Sequence, residues 1–173
     1  KKSPRVYIGQ GADAIMTGLS CNSSLATVPL TLRCLERMGV SAQSARLAAC
    51  VGTNLNNDGI TLYEAMAALF LAHALGYDLP IAKQIVIVVA SIIAGAGVAG
   101  IPEAGMIVLP LVLAAAGLPD QVILAAIPLI MTVDWIIARA RSGVNVMSDM
   151  LVAILLDVGQ SKSASESHVE ARS

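Results

Sequence analysis

One stretch limits the fold more than any other. From Asp120 to Val158 the chain reads as a single long apolar helix with one polar face. Asp134, Arg141, Asn145 and Asp149 are spaced by seven, four and four residues, which stacks them on one side of a helix. At about 1.5 Å per residue such a helix outruns the roughly 30 Å hydrocarbon layer of a bilayer, so it must tilt or bend. A charge at mid-membrane costs about 2.5–3.5 kcal/mol on insertion scales. The stripe is therefore expected to face a protein interior, not lipid.

Composition agrees with a membrane setting. The 173 residues are 56% hydrophobic and 13% charged, with a net charge of −1. A soluble domain carries about 25% charge, so too few charged residues are present to coat a globule of this size. Eleven basic residues against twelve acidic ones leave no footprint for a nucleic acid. The abundance of Ala, Ile, Leu and Val excludes general disorder. No leader with a basic start, short apolar run and cleavage site is visible. The chain opens on Lys1-Lys2-Ser3-Pro4-Arg5 without Met, which suggests a piece of something longer. Residues 160–173 are Ser-rich and charged and are expected to form a disordered cytoplasmic tail. Cys21, Cys34 and Cys50 fit neither zinc-ligand spacing nor a disulfide framework, and are expected to be packing residues. The fold class expected is an all-α membrane protein.

Clean spans of about 20 apolar residues do not occur; Gly, Pro and polar clusters cut the runs. Val6 to Leu19 is a helix candidate that stops at Ser20-Cys21-Asn22-Ser23-Ser24. Thr27 to Met38 follows, with Pro29 tolerated in its first turn. Gly39-Val40-Ser41 is a turn, and Ser41 caps a helix reaching about Gly52. Residues 53–59 then break the pattern before a second helix, Ile60 to Leu75, ends at Gly76. The second half repeats the plan. Ile81 to Ala94 dissolves into a Gly-rich run ending at Gly105, Met106 to Ala116 is helical, and Gly117-Leu118-Pro119 turns the chain. Residues 1–159 thus read as hairpin one (about 6–38), a broken span (41–76), hairpin two (about 81–116) and the long span (120–158).

Irregular backbone at membrane depth survives only inside protein or along a polar cavity. Two interrupted segments in matching places point to a secondary transporter built as an inverted repeat. A kinked multi-span bundle without a ligand is the plain alternative. Lys1, Lys2, Arg5, Arg33, Arg37 and Arg46 cluster at one end of the spans, and Asp78, Lys83 and Asp120 at the other. By the positive-inside rule the first hairpin opens toward the cytoplasm and the second toward the outside, so both are re-entrant and their tips approach each other.

Several residues carry chemistry. The planar guanidinium of Arg141 suits a carboxylate held bidentately. Asp149 and the Asn145 amide offer hard oxygens to a small cation. An Asp134–Arg141 ion pair that only locks two helices is the bland reading, and the two can coexist. At Asn54-Leu55-Asn56-Asn57-Asp58-Gly59 a broken helix frees carbonyls that can hold a cation, and Asp58 adds a full charge. An acidic ladder and closing Glu are missing, which excludes an EF-hand. Asn22-Ser23-Ser24 presents hydroxyls and a helix N-terminus to an anion, and residues 100–105 let backbone approach a ligand closely. The Gly-rich run lacks the Lys-Ser/Thr of a nucleotide loop. His73, Tyr63 and Trp135 read as packing residues, and nothing resembles a nucleophile with its base, so no enzyme is expected.

The chain resembles the dicarboxylate/amino acid:cation symporters, the glutamate transporter family. Ser23-Ser24-Leu25-Ala26-Thr27-Val28-Pro29 looks like the family's serine-rich tip. Asn56-Asn57-Asp58-Gly59 is similar to its Asn-Met-Asp-Gly-Thr motif, Ala99-Gly100-Ile101-Pro102 to its second tip, and Arg141-Ser142-Gly143-Val144-Asn145-Val146 to its span-eight motif. The match covers Val6 to Val158 and corresponds to the C-terminal transport core. The resemblance implies sodium-coupled symport of a small anion by alternating access in a multi-pass cell membrane protein, with a bacterial inner membrane the expected setting. Substrate would be held by Ser23, Ser24, the backbone of Ile101, Pro102, Glu103, Ala104 and Gly105, and by Arg141, Ser142 and Asn145. One sodium ion would sit among Gly52, Asn56, Asn145 and the Asp149 carboxylate. A second would use backbone around Asn54 and at Gly95, Ala96 and Val98. A third would involve Asn56 and Asp58, with ligands from an earlier span. The resemblance also implies N-terminal scaffold spans beyond this chain and a homotrimer in the lipid bilayer.

Departures from the family pattern set the expected substrate. Ala138 stands where amino-acid carriers of the family place an Asp for the substrate ammonium. Asn57 replaces the motif Met, Ile60 the motif Thr, and Glu103 a usual Gly. Arg141 without that Asp favours a C4-dicarboxylate over an acidic amino acid, although Glu103 offers a substitute charge. Asp149 favours sodium over proton coupling. The alternatives are a proton-coupled dicarboxylate carrier, or a membrane binding module that keeps the fold without transporting.

Overall fold

The structure is a computed structural model that describes the backbone of residues 3–98 and 104–170, and the side chains of these residues except 104 and 162–170. Among the described residues every regular element is helical. α1 (Pro4–Cys21) opens on Ser3, whose hydroxyl accepts from Val6 N at 3.4 Å, with Pro4 at a position that needs no donor. It ends at Asn22, whose φ of 51° reverses the chain. Ser23 then caps α2 (Ser24–Arg37), accepting from Ala26 N at 3.1 Å. The capping serine starts this helix earlier than the apolar pattern suggested, so Pro29 lies inside it rather than in its first turn. α1 and α2 pack on each other.

Gly39, at φ 68°, turns the chain toward Ser41, which caps α3 (Ala42–Arg46). The path then loosens into a π-helical stretch (Leu47–Gly52) and tightens again in α4 (Thr53–Leu55). The break falls on Asn56 and Asn57 alone, at φ −98° and −103°, narrower than the polar cluster 53–59. Thr53 Oγ1 lies 2.6 Å from Ala49 O at this turn. α5 (Asp58–Ala74) starts with an acidic residue in its first turn and stops before Gly76, at φ 79°. α6 (Ile81–Gly97) and α7 (Ala104–Ala115) pack together and against α5.

Gly117 at φ 77° leads into α8 (Asp120–Glu170), the spine of the molecule. Its backbone stays helical through 161–170, where composition suggested a disordered tail; no Pro or Gly follows Gly159 to stop it. Two apolar cores share this helix. Ile123, Ala126 and Ile130 of α8 join α5, α6 and α7 around Leu71, Ile87, Leu109 and Leu113. Val146, Met150 and Ala153 join α1, α2 and α3 around Ala14, Leu35 and Ala45. Asp134, Arg141 and Asn145 lie between the two cores along α8.

The outer surface is strongly apolar, with Ile81 74% and Leu124 73% exposed. The segment Asp120–Ser161 is long and apolar enough to cross a membrane, and Ile81–Gly97 and Gly105–Ala115 are shorter apolar helices. Three packing assignments are corrected. Trp135 is 61% exposed, because burial of Asp134 turns the next position outward; Arg139 lies over its ring at 5.6 Å. His73 is exposed, and of the cysteines only Cys34 is buried.

Candidate functional site

The polar face of α8 is buried throughout: Asp134 and Arg141 are 6% exposed, Asn145 3% and Asp149 2%. Burying charge is costly unless each group finds partners, so the partners define the site. Arg141 Nη2 faces Asp134 Oδ1 at 3.4 Å, and the guanidinium lies over the Tyr63 ring at 4.3 Å. Its other terminal nitrogen, Nη1, is buried with no hydrogen-bond partner among the described residues. A Cβ on Gly105 would run into that nitrogen, so the first turn of α7 rests directly on the guanidinium. A Cβ on Gly59 would likewise strike the Arg141 carbonyl. Only glycine permits either approach. Beside this cluster Glu64 is fully buried, and neither carboxyl oxygen has a hydrogen-bond partner among the described residues.

The tip between α1 and α2 reaches the same face. Ser142 Oγ donates to Asn22 Oδ1 at 3.1 Å, tying the left-handed corner to α8 one position after Arg141. Ser23 and Ser24 are half-buried there, at the start of α2. At the second tip, Ile101, Pro102 and Glu103 lie outside the described residues. Ala104 is described only through its backbone, as the first residue of α7.

A second polar node lies toward the far end of the stripe. Asp149 Oδ2 accepts from Thr53 Oγ1 at 2.8 Å, and Oδ1 accepts from Asn56 Nδ2 at 3.2 Å. The Gly52 backbone passes close by, since a Cβ there would sit 3.4 Å from Asp149 Oδ1. Asp149 is a buried carboxylate with no salt bridge among the described residues, and it is that uncompensated charge, with the Gly52 backbone close by, that could hold a small hard cation. Asn56 also donates to Ser148 Oγ at 2.9 Å, and Ser148 donates to Asp58. That brings Asn56 and Asp58 together, with Asp58 at the surface.

Asn145 and Asn57 connect the two nodes. Asn145 Oδ1 accepts from Gly59 N at 2.8 Å, and its amide donates to Asn57 Oδ1 at 3.3 Å. Asn57 Nδ2 in turn donates to Gly95 O at 3.0 Å and to Asn54 O at 3.4 Å. Gly95 is buried, while Ala96 is exposed and Val98 half-buried at the end of α6. Residues 1–158 match the family model of sodium:dicarboxylate symporters. The chain belongs to the sodium:dicarboxylate symporter family.

Relatives give the same placement. Excitatory amino acid transporter 1 of Rattus norvegicus is 40% identical over 158 residues, 91% of this chain and 28% of that protein. Excitatory amino acid transporter 4 of Mus musculus is 38% identical over 157 residues, 90% and 27%. Excitatory amino acid transporter 5 of Mus musculus is 40% identical over 154 residues, 88% and 27%. The chain thus spans little more than a quarter of the symporter relatives it matches.

Most of the residues that sequence reasoning missed have partners distant in the chain. Thr53 is 96 positions from Asp149 and Ser148 is 92 from Asn56. Tyr63 packs in the core as the sequence implies, and its ring also lies under the Arg141 guanidinium. Glu64 was passed over, although a lone acid in an apolar helical run was a visible sign.

Proposed function

We propose that this chain is the part of a membrane carrier that holds substrate and coupling ion, taking up a small dicarboxylate with sodium by alternating access. The observation that supports it most is Arg141, a buried guanidinium whose Nη1 has no hydrogen-bond partner among the described residues, bordered by the Gly105 backbone and close to the Asn22 corner through Ser142. A carboxylate is the group such a planar fork accepts best. The Asp149 node supplies a carboxylate for a cation, and Asn145 links it to the arginine level, so anion and cation offset each other inside the protein.

In this reading α1–α2 and α6–α7 are re-entrant hairpins that enter a multi-pass bundle from opposite membrane faces, as halves of an inverted repeat. Preceding spans complete the carrier, a trimer in the bilayer. The substrate is a C4-dicarboxylate without an amino group. Ala138 is 2% exposed one turn before Arg141 and offers no charge to an ammonium. The test is uptake by the full-length protein in proteoliposomes. An inward sodium gradient is expected to accumulate labelled succinate. Tight aspartate binding without succinate binding overturns the substrate, and binding without sodium-driven accumulation overturns transport.

A further inference from the structure

Two of the three groups of residues expected to hold sodium differ in one respect. At Asp149 a buried carboxylate carries a negative charge that accepts from a hydroxyl and an amide. Between Asn54 and Gly95 no charge is present among the described residues; the carbonyls there already accept from a side chain of the chain itself.

Asn57 is that side chain, and it is 5% exposed. Its amide has two N–H groups and one acceptor. Oδ1 accepts from Asn145, which sets the amide orientation, and Nδ2 is left to reach Gly95 O at 3.0 Å and Asn54 O at 3.4 Å. The carbonyls that would face a cation therefore face hydrogens. The backbones are also drawn tightly together here. A Cβ on Gly95 would meet Thr61 Oγ1 and come within 3.7 Å of Asn57 O. The residues present do not fit a sodium ion.

Resting on the symport reading above, we propose that the Asn57 amide replaces a coupling cation between the broken helix and α6, so that the Asn54 and Gly95 carbonyls bind no sodium in this protein. An N–H donor and a cation satisfy a carbonyl in the same way, and the amide does so without being released to either side of the membrane. Asn57 is thus a residue that sets how many ions travel with each substrate.

The test is the sodium-to-substrate ratio, read from reversal potentials of substrate flux in proteoliposomes of the full-length protein. N57L and N57M remove the amide while keeping an apolar group of similar size. Both are expected to raise the ratio by one ion per substrate. An unchanged ratio in variants that still transport overturns the inference. Wild-type flux that ignores the sodium gradient overturns instead the symport reading on which it rests. A second measurement needs no variant: anomalous scattering from thallium soaked into crystals of the wild-type full-length protein. Thallium at Asp149 and none between the Asn54 and Gly95 carbonyls supports the inference, and a thallium peak between those carbonyls overturns it.

Discussion

The substitution A138D tests the substrate assignment most directly. Ala138 is 2% exposed and precedes Arg141 by three positions, so it lies on the inward face of α8 just before the anion site. A carboxylate placed there cannot reach water, and Arg141 already faces Asp134. The variant without ligand therefore carries an excess buried negative charge and is expected to melt lower than wild type. A substrate ammonium cancels that charge. One charge-assisted hydrogen bond contributes about 1.5–3 kcal/mol, a shift of about 10- to 150-fold in the ratio of aspartate to succinate affinity. Both affinities are read by competition against a labelled substrate in proteoliposomes, with thermal shift as a check on folding. The wild type should prefer succinate and A138D should move toward aspartate. A folded A138D with an unchanged ratio would show that the side chain at 138 does not face the substrate.

Three further outcomes follow from the same contacts. G105A places a methyl group against Arg141 Nη1 and is expected to lower substrate affinity at least tenfold (about 1.4 kcal/mol), with helix content by circular dichroism unchanged. D149N keeps the shape beside Thr53 and Asn56 but removes the charge, so half-saturating sodium should rise about tenfold or more in a sodium titration of substrate binding. E64Q replaces a buried carboxyl whose oxygens have no hydrogen-bond partner among the described residues with a neutral group of the same size, so the melting temperature is expected to hold or rise; a fall of several degrees would show that the charge is needed.

Local features were legible because their causes are short-range. Ser41 caps α3 through a contact three residues on, and Gly39, Gly76 and Gly117 take left-handed angles at the turns between helices. The inward face of α8 was legible from spacing alone. The exact break was not: the π-helical stretch and the short α4 carry the helix past Asn54, which no pattern of residue types displays. Partners that converge from separate helices were also hidden. Asn57 read only as a departure from a motif, and its place between Asn145, Asn54 and Gly95 depends on how three helices meet.

The bare contact of Gly59 with the Arg141 carbonyl has a mechanical consequence. With no side chain as a spacer, α5 cannot slide or roll on α8 at this level without main chain colliding with main chain. The arginine fork and the Asp149 oxygens are then fixed to a common frame. Whatever motion exposes one of them to either side of a membrane must carry the other along with it.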